Sequence, residues 1–349
     1  MAAQTPYLYR EIHAQPAVLA TLLAEEAAHI ARFARYLRDH PPCYVVIAAR
    51  GSSDNAALYA KYLFASAVGW SVALATPSLF TLYHRPPRLR QALVIGISQS
   101  GRSTDIVAVV EEARRQGAMT LGITNDSDSP LAQAAHEVIR LRAGEERSIA
   151  ATKTYTAQLM VMALLVAHLA DVSSYREALP RVPEAVETCL QQGDYIQQMA
   201  ERYRYMHTCV VIGRGYNYAT AYEFALKMKE LTYVVAEPYS SADFQHGPIA
   251  VVADGFPVFL LAPQGKVHPE IHALGERLRA RRAELVVFSD VEATVQLGRV
   301  SLQLPVSLPE WLSPITTIVP AQLFTYYLTL AKDYDPDHPR GLTKVTQTR

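Results

Sequence analysis

Cysteine is scarce in this chain, with three in 349 residues. Cys43, Cys189 and Cys209 have neither the spacing of metal ligands nor the density of a disulfide framework. Cys43 and Cys209 each open a hydrophobic strand pattern, where a free thiol behaves as a small core residue. The sequence therefore predicts no metal site and favours a reduced, cytoplasmic setting over a secreted one.

Net charge is also absent, since 33 Lys and Arg residues balance 33 Asp and Glu residues. Without a charge excess we expect no bulk attraction to nucleic acid or to a membrane surface. The first residues, M-A-A-Q-T-P-Y-L-Y-R-E, have no basic stretch followed by an apolar one, so no signal peptide is expected. The longest apolar stretch, 159–169, is short and interrupted by His168, which argues against a membrane span.

What the sequence does contain is an alternation of strand and helix patterns in a chain long enough for two domains. Such an alternation predicts βαβ units around parallel sheets. Two landmarks recur at one and the same interval: Gly51 with Gly215 in a first turn, and Asp126 with Asp290 at the end of a later strand. We infer an internal duplication, and a fold class of two tandem doubly wound, flavodoxin-like α/β domains.

Breaks in the pattern set the expected domain boundaries. A helical N-terminal segment, with one long helix inside 7–39, is stopped by Pro41-Pro42, and a final helix is expected over 320–333. The remaining tail is rich in proline and charge and could close over a ligand as a lid. The predicted divisions are an N-terminal segment at 1–40, a first domain at 41–172, a helical linker at 173–194, a second domain at 195–333 and a tail at 334–349.

The segment 93–105, L-V-I-G-I-S-Q-S-G-R-S-T-D, reads as a buried strand, a polar turn and the start of a helix. Backbone N–H groups, a helix N-terminus and hydroxyls together suit an anion such as phosphate. The alternative is that the serines only cap the helix. Gly51-Ser52-Ser53 offers a second such turn, and the loop before Ala151-Thr152-Lys153 a third, all at the ligand edge of the sheet.

Neither serine turn is a Walker A loop or a G-x-G-x-x-G turn, so a phosphorylated small molecule without a nucleotide is the simpler ligand. The second half lacks a comparable serine cluster, and offers acid–base groups instead. Glu223, Lys227 and Glu230 share one helix face, although such a pattern is usually a solvated ion-pair face. His246 lies in the turn F-Q-H-G-P, where a histidine is often incidental. Lys344 is a tail lysine to which the residues alone give no role.

The motifs S-Q-S-G-R-S, A-A-T-K-T, A-L-K-M-K-E and Q-H-G-P together resemble the sugar isomerase (SIS) family. The likeness covers essentially the whole chain. More narrowly, it resembles the isomerase portion of the glutamine–fructose-6-phosphate aminotransferases (glucosamine-6-phosphate synthases), and stand-alone glucosamine-6-phosphate deaminases. The resemblance implies that the chain binds a hexose or hexosamine 6-phosphate and that it uses no cofactor.

The resemblance also implies roles for individual residues. Glu230 matches the base that moves a proton between C1 and C2, Lys344 the lysine that forms a Schiff base, and His246 a ring-opening histidine supplied by a neighbouring subunit. A homodimer with shared sites is therefore expected. Ser103 replaces a usual threonine, and Ala151 replaces a usual serine. The expected phosphate contacts are Ser52, Ser53, Ser98, Gln99, Ser100 and Ser103, and the other substrate contacts are Gly51, Ala151 and Lys227.

The expected activity is that of an amino-sugar 6-phosphate deaminase/isomerase, converting glucosamine 6-phosphate to fructose 6-phosphate and ammonia. The chain begins M-A-A-Q and has no cysteine before Cys43, so we expect no glutaminase domain. Other phosphosugar isomerisation, deglycation of fructosamine phosphates and ammonia-dependent synthesis stay open. A non-catalytic sugar-phosphate sensor is the alternative from another class, and the joint presence of Glu230, His246 and Lys344 argues against it.

Overall fold

The computed structural model describes residues 5–304 and 308–344. The chain divides into two compact units, each containing a five-stranded parallel sheet. We call them the N-terminal unit (residues 17–146 and 153–180 with Thr343 and Lys344) and the C-terminal unit (residues 5–16, 147–152 and 181–342). No helix among the described residues is both long and apolar enough to cross a membrane.

The N-terminal unit has the strand order β2-β1-β3-β4-β5, with all pairs parallel. Helix α5 (Thr104–Arg115) packs its apolar stripe, Ile106, Val109, Val110 and Ala113, into the core on one side of this sheet. The strands are β1 (Tyr44–Ala48), β2 (Val72–Leu74), β3 (Ala92–Ile97), β4 (Met119–Thr124) and β5 (Glu137–Arg140). The helices are α2 (Gln15–Asp39), α3 (Ser52–Leu63), α4 (Ser78–Thr81), α5 (Thr104–Arg115), α6 (Pro130–Ala134), α7 (Lys153–Ala170) and α8 (Ser173–Ala178).

The C-terminal unit has the order β10-β9-β8-β6-β7, again all parallel. Its strands are β6 (Thr208–Gly213), β7 (Val235–Ser240), β8 (Pro257–Leu261), β9 (Glu284–Ser289) and β10 (Val300–Gln303). Its helices are α1 (Tyr7–His13), α9 (Val182–Leu190), α10 (Gly193–Glu201), α11 (Asn217–Thr232), α12 (Ser241–Gln245), α13 (His268–Ala280), α14 (Glu292–Val295) and α15 (Ser313–Ala331).

The two sheets have the same topology, because both place the second strand of the unit outside the first and the third inside it. Strand β6 begins after β1 by the interval that separates Gly51 from Gly215, and the other four strand pairs keep this repeat interval almost unchanged. The predicted fold class is therefore confirmed. The second strand of each unit lies on one side of the first and the third strand on the other, so the strand order reverses between β1 and β3 and between β6 and β8. In doubly wound sheets, such a switch point is the usual position of a ligand.

Three details differ from the sequence predictions. The last helix begins at Ser313 rather than at residue 320, and Pro320 lies inside it, since the apolar residues before the proline continue the same buried helix. Cys43 is exposed because it precedes β1 at the point where the chain enters the sheet, whereas Cys209 is buried as expected. Strands β7 and β10 were not predicted; both lie at an edge of the sheet, and β7 contains Pro238, which an edge strand tolerates.

Candidate functional site

Two polar turns meet at the ligand edge of the N-terminal unit. One follows β1 and contains residues 51–53, and the other follows β3 and contains residues 98–103; we call them together the serine cradle. Since β1 and β3 are paired neighbours, the two turns emerge side by side. The Nε of Arg50 donates to the Oδ2 of Asp105 over 2.7 Å, and the Asp105 side chain is fully buried, so an ion pair joins the residue before the first turn to the helix after the second.

The turn after β3 is fixed by its own hydroxyls. The Ser98 hydroxyl accepts a hydrogen bond from the Gly101 N–H at 3.1 Å and lies 3.2 Å from the Ser103 hydroxyl. Gly101 has φ +64°, and a Cβ there would collide with the Ser129 hydroxyl, so this position requires glycine. Ser103 is the residue before α5, yet its side chain accepts no helix N–H. Helix capping alone therefore does not explain these serines.

The remaining cradle residues divide into buried and accessible ones. Ser53 is buried, and its hydroxyl accepts a hydrogen bond from Gln158 Nε2 of α7 at 3.0 Å. Gln99 and Ser100 are half-buried at the outer end of the turn. Gly51 has φ +54° and lies in open space, which brings the backbone of this turn to the surface. The cradle thus offers hydroxyl, amide and backbone groups at one edge of the sheet.

Two lysines contact the loop before α7, one from the start of α7 and one from the C-terminal tail, and they have different partners. Lys153 is buried and its Nζ donates to the backbone oxygen of Glu145 at 2.7 Å. Lys344 Nζ lies 2.9 Å from Oε2 of the buried Glu146. The Lys344 side chain is 26% exposed, so it differs from an ordinary solvated tail lysine. Ala151 is half-buried and lies just before α7.

In the C-terminal unit, α11 carries a buried cluster of charged residues. Lys227 Nζ lies 2.5 Å from Glu230 Oε2 and 3.6 Å from Glu223 Oε1. The side chains of Glu223 and Lys227 are 0% and 2% exposed, while that of Glu230 is 23% exposed. A solvated ion-pair face is therefore the wrong interpretation of this pattern. The Glu230 carboxylate is therefore partly accessible, and it adjoins the buried pair of Glu223 and Lys227.

His246 ends the short helix α12 and is exposed. Within residues 5–304 and 308–344, no hydrogen bond or ion pair joins His246 to Glu230. The backbone around the histidine is unusual, because Gly247 follows it with φ +139°. The loop thus holds an accessible imidazole near a glycine-dependent bend.

The turn after β8 is the counterpart of the cradle's second turn, but its N–H groups bind carboxylates of the same unit. Glu310 accepts hydrogen bonds from the N–H of Lys266 at 2.8 Å and of Val267 at 3.5 Å. Asp290 accepts one from the N–H of Gln264 at 2.6 Å. Glu310 could not be found from the sequence, because it is distant from this turn along the chain and belongs to no motif.

The repeated strand order, with a polar turn at the switch point of one unit, defines a tandem doubly wound α/β protein with a candidate ligand site at the sheet edge. The SIS domain family matches residues 44–168 and 204–332, and the chain belongs to that family. The stretch matched by the family contains the serine cradle in one copy and the α11 cluster in the other.

Curated relatives are similar over nearly the whole chain. The glutamine–fructose-6-phosphate aminotransferase [isomerizing] of Pyrococcus horikoshii is 35% identical over 343 residues, which is 97% of this chain and 57% of the relative. That of Gloeobacter violaceus is 34% identical over 97% of this chain and 58% of the relative. The chain thus spans a little over half the length of these relatives.

A similar solved structure is the C-terminal domain of glucosamine-fructose-6-phosphate aminotransferase from Francisella tularensis. It has a TM-score of 0.87 and 25% identity, covering 97% of this chain and 99% of that one. Together with the curated relatives, it places the likeness in the isomerase portion of these aminotransferases.

Proposed function

We propose that this protein is an amino-sugar 6-phosphate deaminase/isomerase that converts glucosamine 6-phosphate to fructose 6-phosphate and ammonia. The observation that carries the proposal is the cluster in which Glu230 is partly accessible beside the buried Glu223 and Lys227, because phosphate binding alone requires no such groups. The names of the relatives, isomerising aminotransferases, supply the substrate class. Free cysteines, two of them buried, favour a cytoplasmic location.

In this proposal the two domains have separate tasks. The domain at 41–172 binds the phosphate through Ser52, Ser53, Ser98, Gln99, Ser100 and Ser103. The domain at 195–333 supplies acid–base groups, and the tail at 334–349 supplies Lys344. The support is chemical: small hydroxyls and backbone amides suit a phosphate dianion, and a partly accessible carboxylate suits proton transfer.

The reaction begins with the closed sugar, which has no free carbonyl. His246 acts as the proton shuttle that opens the ring, since an imidazole exchanges protons near neutral pH. Glu230 then moves a proton from C2 to C1, while the amino nitrogen loses one proton and O1 gains one, which converts the 2-amino aldose into the C2 imine of the ketose. Both carbons are adjacent, so one carboxylate on a rigid helix can serve both.

The amine of Lys344 next attacks C2 of the imino sugar and displaces ammonia, forming a Schiff base. Water hydrolyses that Schiff base and releases fructose 6-phosphate with the free lysine. Deamination needs only these groups and water, because the amino group enters with the substrate. Synthesis in the opposite direction needs a separate supply of ammonia.

The proposal is tested by measuring ammonia and ketose phosphate released from a panel of glucosamine 6-phosphate, other hexose phosphates and fructosamine phosphates. We expect equimolar ammonia and fructose 6-phosphate from glucosamine 6-phosphate. The deaminase assignment would be replaced by a simple isomerase if the sugar were isomerised without release of ammonia. It would be replaced by a deglycase if only fructosamine phosphates were cleaved, and by a synthase if product formed only when ammonia was supplied with fructose 6-phosphate. Binding without any turnover would identify a sensor.

We also propose a homodimer in which His246 completes the site of the neighbouring subunit. The exposed position of this residue and its lack of a bond to Glu230 within the described chain are consistent with that arrangement. Mixing inactive His246→Ala and inactive Glu230→Gln proteins should restore activity in hybrid dimers that contain one intact site. A fully active monomer at the assay concentration would contradict shared sites.

A further inference from the structure

We propose that Glu146 holds Lys344 in position and accepts its proton, so that the amine can form the Schiff base. This inference depends on the proposed function, because it explains how the tail lysine becomes nucleophilic. Glu146 was not singled out by its sequence context. Its assignment comes from the contacts that it makes in the N-terminal unit.

The Glu146 carboxylate is buried and firmly held. Its side chain is 0% exposed, whereas that of Lys344 is 26% exposed. Oε1 accepts a hydrogen bond from the Thr154 N–H at 3.1 Å, and Oε2 accepts one from the Thr154 hydroxyl at 2.8 Å. The same Oε2 lies 2.9 Å from Lys344 Nζ. The first turn of α7 therefore fixes the carboxylate at the position where the tail lysine meets it.

The neighbouring lysine provides an internal comparison. Lys153 Nζ donates to a backbone carbonyl oxygen, that of Glu145. A carbonyl oxygen accepts a hydrogen bond but is far too weak a base to take the proton from an ammonium group. A carboxylate can do both. The contact of Lys344 with Glu146 therefore permits proton exchange, and that of Lys153 with the carbonyl does not.

The chemistry requires such a partner, since an ammonium has no lone pair. One proton passes from the Lys344 ammonium to Glu146, and the neutral amine attacks C2 of a ketose phosphate to form a carbinolamine. The protonated Glu146 then returns its proton to the departing hydroxyl, which leaves as water while the C=N bond forms. The products are a protonated Schiff base, one water and the Glu146 carboxylate, so charge and atoms balance.

The test is the rate at which borohydride traps fructose 6-phosphate on Lys344, measured by mass spectrometry from pH 6 to pH 9. In the unmodified protein we expect a shallow pH dependence. In Glu146→Gln, the amine must lose its proton to solvent, so trapping should be roughly 10²–10⁴-fold slower near pH 7. Its rate should then rise about tenfold per pH unit until the lysine is deprotonated.

Two controls separate proton transfer from support of the loop. Thr154→Val removes the hydroxyl contact to Glu146 but leaves the lysine and carboxylate, and Glu145→Gln neutralises the adjacent exposed residue. Both should keep the shallow pH profile. If Glu146→Gln does not fold, the Glu146→Asp variant is measured instead. Because aspartate keeps a carboxylate, its adduct should form more slowly than that of the unmodified protein, but with the same shallow pH profile. A steep profile in the aspartate variant would overturn the inference.

The outcomes also distinguish this inference from the proposed function. Trapping in Glu146→Gln at the rate and pH profile of the unmodified protein would overturn the role of Glu146 and leave the Schiff base intact. Absence of any adduct on Lys344 in the unmodified protein would contradict the Schiff base itself, and this inference with it.

Discussion

The two units of this protein share a strand order and strand spacing, yet the turns after their third strands bind different partners. After β3 the turn contains serines, and Gln99 and Ser100 are half-buried at its outer end. After β8 the N–H groups of Lys266 and Val267 bind the Glu310 carboxylate. In the C-terminal unit the turn is therefore occupied by a carboxylate of the same unit, and we propose that the serine turn of the N-terminal unit instead takes an external anion.

The charged cluster of α11 shows the opposite divergence. Glu223 and Lys227 of α11 are buried charged residues, and their counterparts at the repeat interval are Tyr59 and Leu63 of α3. Both of these counterparts lie in an apolar core. Buried charges are costly unless they are paired, so their presence in one copy alone points to a task that the other copy does not have.

The largest effect is expected for Glu230→Gln, which preserves side-chain size and removes the base. Turnover of glucosamine 6-phosphate should fall by roughly 10²–10⁴-fold, since that is the usual contribution of general acid–base catalysis. Affinity for the substrate analogue glucitol 6-phosphate should change little. Steady-state kinetics and calorimetry check the two expectations, with Glu276→Gln on the exposed part of α13 as the control. Near-normal turnover would show that another group is the base.

A smaller effect is expected for Ser100→Ala in the cradle. Loss of a hydrogen bond to a charged group should weaken sugar-phosphate binding by about 1.5–3 kcal/mol, or roughly 10- to 150-fold in Kd. The matched control is Gln264→Ala at the equivalent position of the other copy, which should leave Kd unchanged. If the two variants weakened binding equally, the contrast between the copies would be lost.

The smallest effect is expected for Glu310→Gln, which removes the negative charge from the turn after β8. The N–H groups of Lys266 and Val267 then lose a charged acceptor, and the free energy of unfolding should fall by about 0.5–2 kcal/mol, as for loss of a helix cap. Chemical denaturation measures this change. Affinity for sugar phosphate should stay within about twofold, and a marked loss would mean that this turn contributes to the ligand site after all.

Local patterns in the sequence were sufficient for the parts of the fold that depend on short-range order. The buried strand at 93–97, the turn at Gly101 and the helix after it could be predicted from the residues of that segment alone. The position of Glu310 on a turn distant in sequence, and that of Glu146 beside Lys344, could not be predicted, because tertiary packing alone brings these residues together. Tertiary packing also explains why α15 begins at Ser313 rather than at Pro320, since the residues before the proline are buried in the same helix.

The central claim is that only one of the two duplicated turns binds a sugar phosphate. Calorimetric titration with glucitol 6-phosphate tests it most directly, because this ligand has the phosphate but no carbonyl and is not turned over. The account predicts one ligand bound per chain, and loss of that binding in the double variant Ser98→Ala/Ser100→Ala. Two ligands per chain, or one that persists in the double variant, would contradict it.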